Sequence, residues 1–136
     1  YQAGTLSGNP VAMAAGLAQL RQLEASDAYT RLEQLGARLE EGVRRVLHDA
    51  ALPLTFKRSG SMYCLFFTTQ DVYDLDSAMS GSFDMFRTYF HSMLEQGVYV
   101  APSPYETGFI STAHSEADID ATVAAMACAL AAVKAG

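Results

Sequence analysis

Six aliphatic residues, Leu32, Leu35, Leu39, Val43, Val46 and Leu47, recur mostly three or four positions apart. That spacing puts them on one side of a helix, so the segment must lie against apolar neighbours along its length. Between them stand Arg31, Glu33, Arg38, Glu40, Glu41, Arg44 and Arg45, which read as a solvated face. With 136 residues, half of them hydrophobic, the chain can build one core and reads as a single compact unit.

Beyond Pro53 the period changes. Leu54 to Arg58 alternates apolar and polar residues, as a half-exposed strand does. Ser59-Gly60-Ser61 makes a turn, and the apolar run Met62 to Phe67 suits a buried strand pairing back as a hairpin. Residues 68–81 are turn-rich, with room for a short edge strand near Val72-Tyr73. Phe83, Phe86, Phe90, Met93 and Leu94 return to helical spacing, and Gly97 fits the position just past a helix end. Val98–Val100 and Phe109–Ser111 read as short strands. A last helix opens at Ser115 with Asp118 three residues on, a capping-box pattern, and buries Ile119, Val123, Met126, Leu130 and Val133. This order predicts an α+β fold: a small, mostly antiparallel sheet with helices on one face.

Ahead of the stripe, Gly4-Thr5-Leu6-Ser7-Gly8-Asn9-Pro10 combines two glycines, two hydroxyls and an Asn-Pro helix start. Asn9 is a favoured N-cap and Pro10 suits the first helical position. Glycines, hydroxyls and a helix N-terminus together suit a phosphate or another small anion, while the plainer reading is an ordinary helix entry. The helix from Pro10 to about Glu24 is Ala-rich and thin, suited to close packing on a further domain. So specific a loop at the start, beginning at Tyr1 without a methionine, predicts a piece of something longer.

Composition excludes several functions. Fifteen acidic residues against nine basic ones, the latter scattered, give no nucleic-acid footprint. No apolar run reaches membrane-spanning length and no signal peptide is visible, which makes a cytoplasmic origin the expectation. Cys64 and Cys128 are far apart in apolar runs and read as buried thiols, with no metal-ligand spacing. His48 and His91 fall in amphipathic helices, and His114 precedes the last cap, where a structural role is favoured. Lys57 lies on an alternating strand and Lys134 in a frayed tail, so neither reads as a nucleophile. Glu106 stands between Tyr105 and Phe109, with Pro102, Pro104 and Gly108 around it. An acid in so constrained a loop suits an amine or a cationic partner; a solvated loop acid is the alternative.

Gly4 to Gly16 resembles the segment after the catalytic lysine in class III pyridoxal-phosphate aminotransferases. Gly97 to Ser103, Tyr105 to Phe109 and Ala113-His114 resemble, more narrowly, the aminomutase branch of that class. The resemblance spans essentially the whole chain. It implies a fold-type I enzyme of the cytoplasm, acting as a homodimer with pyridoxal 5'-phosphate or pyridoxamine 5'-phosphate. Its reaction would convert glutamate 1-semialdehyde to 5-aminolevulinate, for tetrapyrrole (porphyrin) biosynthesis. By the same resemblance, residues 1–25 would close the large cofactor domain and form the connecting helix. Residues 26–136 would be the C-terminal small domain. Gly4 and Thr5 would contact the cofactor phosphate across the subunit interface, and Glu106 would face the substrate. The Schiff-base lysine would lie upstream, leaving this chain without a catalytic residue of its own and unable to retain the cofactor. The family's loop commonly has Phe and Ala where Tyr105 and Thr107 stand; both changes add a hydroxyl and keep the acid. A class III ω-amino-acid transaminase and a non-catalytic ligand-binding or oligomerisation module are the alternatives.

Overall fold

A computed structural model describes residues 3–136; Tyr1 and Gln2, the start of the opening loop, lie outside the described residues. The elements are α1 (Pro10–Ala25), α2 (Ala28–Ala50), β1 (Thr55–Ser59), β2 (Met62–Phe66), α3 (Leu75–Met79), α4 (Phe83–Glu95), β3 (Gly108–Phe109) and α5 (Glu116–Ala135). The strands form one antiparallel sheet in the order β1-β2-β3. The fold is therefore α+β, as the sequence predicts.

The stripe on α2 is the spine of the core. Leu35, Leu39 and Val43 are buried and Leu32, Val46 and Leu47 pack at its margin. Opposite them, α5 contributes Ile119, Met126 and Leu130, with Ala125 and Ala129 allowing close approach. α4 adds Phe86, Tyr89 and Met93. In the β1–β2 ladder Phe56 pairs with Leu65 and Arg58 with Tyr63, so these four share one sheet face. Phe56, Tyr63, Leu65 and Phe67 join the helical core from that face, with the Phe67 ring 5.8 Å from Phe86 and 5.4 Å from Tyr89.

Several expectations are corrected. Val72-Tyr73 is not a strand: the Tyr73 amide donates to Ser77 Oγ, and Asp74 and Ser77 form a capping box that opens α3 instead. Val98–Val100 is not a strand either. The Val98 amide donates to the Met93 carbonyl and the Gly97 amide to Leu94, closing α4 in a Schellman pattern with Gly97 at φ +80°. On α4, Tyr89 takes the core position, while Phe83 and Leu94 are exposed. Cys128 is exposed rather than buried, because it lies on the side of α5 away from Met126 and Leu130. Cys64 is half-buried. Lys134 is not frayed: it lies within α5 and its Nζ donates to the Ala50 carbonyl at 2.9 Å. The charged face of α2 is not wholly solvated either, since Glu40 is drawn in by Arg58, whose side chain is only 12% exposed.

Candidate functional site

The opening loop is a pair of tight turns. The Ser7 amide donates to the Gly4 carbonyl and the Asn9 amide to Leu6, both at 3.0 Å, and Gly8 takes φ +76°. Asn9 Oδ1 then accepts from the amides of Val11 and Ala12, at 3.0 and 3.1 Å. Pro10 has no amide to offer, so the cap uses the first-turn donors of α1. The helix end keeps its dipole but has no free N–H for an anion; what the loop offers a phosphate is the exposed Thr5 hydroxyl beside the close-approach backbone of Gly4. This narrows the sequence reading, which counted the helix N-terminus among the donors. α1 buries none of its residues, and Val11, Met13, Leu17 and Leu20 are all exposed.

The second loop, 101–108, is built on β2. The Glu106 amide donates to the Ser103 carbonyl at 3.3 Å and the Tyr105 amide to Ser103 Oγ at 3.3 Å. β3 then pairs Gly108 with Tyr63 and Phe109 with Met62. Beneath the loop lies a small cavity of about 40 Å³, lined by Tyr63, Cys64, Tyr89, Ser103, Pro104 and Glu106 among others. Glu106 is exposed, and its carboxylate makes no hydrogen bond or ion pair among the described residues. Burial pushes the Cys64 thiol up to about 11. Desolvation raises Tyr63, with the neighbouring Cys64 adding to it, and raises Tyr89 strongly. Cys64, Tyr63 and Tyr89 are thus held in their neutral forms at neutral pH.

On the outer side of the sheet a wider groove of about 500 Å³ runs between β1, β2, the 72–78 segment, Tyr105 and Thr107. Lys57 crosses to Asp71 there. His114 Nδ1 accepts from the Ser111 amide at 3.0 Å just before the Ser115–Asp118 capping box. His48 and His91 are exposed. No metal-ligating cluster occurs among the described residues, and no helix is long and apolar enough to cross a membrane.

Among the described residues no hydrogen bond or ion pair joins Gly4 and Thr5 to the Glu106 loop. Sequence reasoning singled out Glu106 but missed Tyr63 and Cys64 under it. Their signal was present in the alternation of β2, which sends one side chain to each sheet face.

No family model matches the chain. It is 65% identical over 130 residues, 96% of its length, to a glutamate-1-semialdehyde 2,1-aminomutase of Akkermansia muciniphila. It is 50% identical over 123 residues, 90% of its length, to the protein of that name in Persephonella marina. It spans only 30% and 29% of these two relatives. Among solved structures, an omega-transaminase from Sphaerobacter thermophilus matches with TM-score 0.79 and 28% identity, over 98% of this chain and 30% of that one. A transaminase with PLP bound matches with TM-score 0.78 and 28% identity, over 99% of this chain and 30% of that one. By sequence along nearly its whole length, the chain belongs to the glutamate-1-semialdehyde 2,1-aminomutase family, of whose members it spans about 30%.

Proposed function

We propose that the chain is the C-terminal part of an enzyme converting glutamate 1-semialdehyde to 5-aminolevulinate, a step toward tetrapyrroles. The observation that carries this reading is the 65% identity over 130 residues, a match that takes in almost the whole chain. In this reading residues 1–25 end the large domain and form its connecting helix, and residues 26–136 are the small domain. The exposed apolar residues of α1 suit the first of these roles. The unpaired thiols Cys64 and Cys128 suit a reducing, cytoplasmic compartment.

The complete enzyme would use pyridoxal 5'-phosphate and its amino form, which supplies an electron sink and carries the amino group. The residues here fit the phosphate end of that group: Thr5 offers a hydroxyl, Gly4 adds no side chain in front of it, and the positive end of α1 lies close by. In this reading Thr5 serves the site of a partner in a homodimer, as the resemblance of Gly4 to Gly16 to the class III segment implies. Glu106, in the same reading, orients the amino groups of the substrate. The lysine that anchors the cofactor belongs, in this reading, to the rest of the complete enzyme; here Lys57 pairs with Asp71 and Lys134 with the Ala50 carbonyl.

The test is an assay of the complete enzyme for 5-aminolevulinate formation from glutamate 1-semialdehyde without an added amino donor. Glu106→Ala is expected to lower kcat/KM about a hundredfold, the scale set by losing a group that orients substrate. Thr5→Ala is expected to weaken retention of the cofactor. An enzyme that forms no product until an external amino donor is supplied would instead be an ω-amino-acid transaminase, the reading that the close structural match to the Sphaerobacter protein favours.

A further inference from the structure

We propose that Tyr63 is a positioning residue for Glu106, acting through Gly108. The proposal rests on the reading of Glu106 as the substrate-facing acid. The ladder sets Tyr63 opposite Gly108. A β-carbon on Gly108 would lie 2.5 Å from Tyr63 Cζ and 2.8 and 2.9 Å from the two Cε atoms. The phenol ring therefore occupies the space where any other residue at 108 would carry its side chain. The ring also stacks on Phe56 with ring centres 6.3 Å apart and planes 29° apart, which limits how far it can swing aside.

The next residue grips the same loop. The Cys64 thiol approaches the Glu106 carbonyl oxygen at 3.6 Å and that of Pro104 at 4.0 Å. Successive residues of a strand face opposite ways, so β2 holds the loop from both sides. Further on, the Ile110 amide donates to the Ser61 carbonyl at 2.9 Å and fixes the register. With its carboxylate unbonded among the described residues, Glu106 takes its place entirely from the main chain on either side of it. A displacement of about 1 Å there carries straight to the carboxylate, and misplacement on that scale costs about a hundredfold in rate.

The experiment uses the complete enzyme. Gly108→Ala is expected to lower kcat/KM about a hundredfold and to speed amide hydrogen exchange at residues 105–108, leaving α2, α4 and α5 protected. Adding Tyr63→Leu, whose side chain stops short of the Cε and Cζ positions, is expected to recover about tenfold, a non-additivity expected only of residues in contact. Tyr63→Phe keeps the ring and is expected to behave like the parent. A double variant no better than Gly108→Ala, or unchanged exchange at 105–108 in Gly108→Ala, overturns the proposal. Failure of the underlying reading shows separately, as an unaltered kcat/KM in Glu106→Gln.

Discussion

Arg58 Nε donates to Glu40 Oε2 over 2.7 Å, and its two terminal nitrogens reach Glu33 at 2.8 and 3.0 Å. One guanidinium thus ties the hairpin to two turns of α2. Gly36 makes room for it: a β-carbon there would stand 2.5 Å from the Gly60 carbonyl oxygen and 2.9 Å from Arg58 Nη1.

Removing this tie should loosen the hairpin. Arg58→Ala leaves the half-buried Glu40 short of a partner and is expected to cost about 2 kcal/mol, read by urea denaturation. Arg58→Lys should recover only part, because an ammonium cannot reproduce the fork. The hydrogen bonds from Arg58 also hold the Glu33 and Glu40 carboxyls below the usual glutamate range. Both groups therefore bind protons more readily in the unfolded chain. Their stabilisation is present above about pH 4.5 and is lost as pH falls through the lowered folded values. A midpoint that stays flat from pH 6 to pH 3 in the parent would contradict this.

Gly42 sets how closely α2 and α5 pack. A methyl there would come within 2.6 and 2.9 Å of the two Cγ atoms of Val123. Gly42→Ala gains about 1 kcal/mol in helix propensity. It loses about 1–3 kcal/mol to overpacking, so it is expected to lower the melting temperature. Val123→Ala in the same chain should return most of the loss. Gly16 on α1 faces open space, and Gly16→Ala in this chain is expected to raise stability by up to about 1 kcal/mol, measured by the same melts.

The Ser115–Asp118 box closes on both sides: the Asp118 amide donates to Ser115 Oγ, and the Ser115 amide donates to Asp118 Oδ2 at 2.8 Å. Ser115→Ala is expected to cost about 1 kcal/mol, seen as fraying of the first turn of α5 by amide exchange.

Those caps and stripes were legible because they are local. The α2 stripe, the Asn9 cap, Gly97 and the Ser115–Asp118 box are each fixed by residues within four positions of one another, where helical geometry leaves one solution. Val72-Tyr73 and Val98–Val100 misled because strand propensity lost to amides already engaged in helix caps. Arg58 was read as one member of an alternating strand, since a bond to Glu33 spans 25 positions that no spacing rule covers. Glu106 was legible as a constrained acid, while the ring that constrains it lies more than forty residues earlier in sequence and becomes its neighbour only through the β2–β3 register.

The two thiols should behave oppositely, although both stand in apolar runs of the sequence. Cys128 is exposed on α5, whereas Cys64 is half-buried against the Glu106 loop with its pKa pushed up to about 11. At pH 8 only about one Cys64 in a thousand is thiolate, the reactive form. An alkylating reagent at that pH is expected to modify Cys128 first and Cys64 only on unfolding, read by mass spectrometry of peptides. The raised value also sets a sign. The folded chain keeps the Cys64 proton where the unfolded chain, near pH 9, has given it up. Its stabilisation is complete below about pH 9 and declines as pH rises toward 11. The difference between the alkaline melting curves of the parent and of Cys64→Ala reads this thiol together with its coupling to Tyr63. That difference is expected to shrink steadily from pH 9 to pH 11, and a constant offset would show that Cys64 keeps its charged form as easily folded as unfolded.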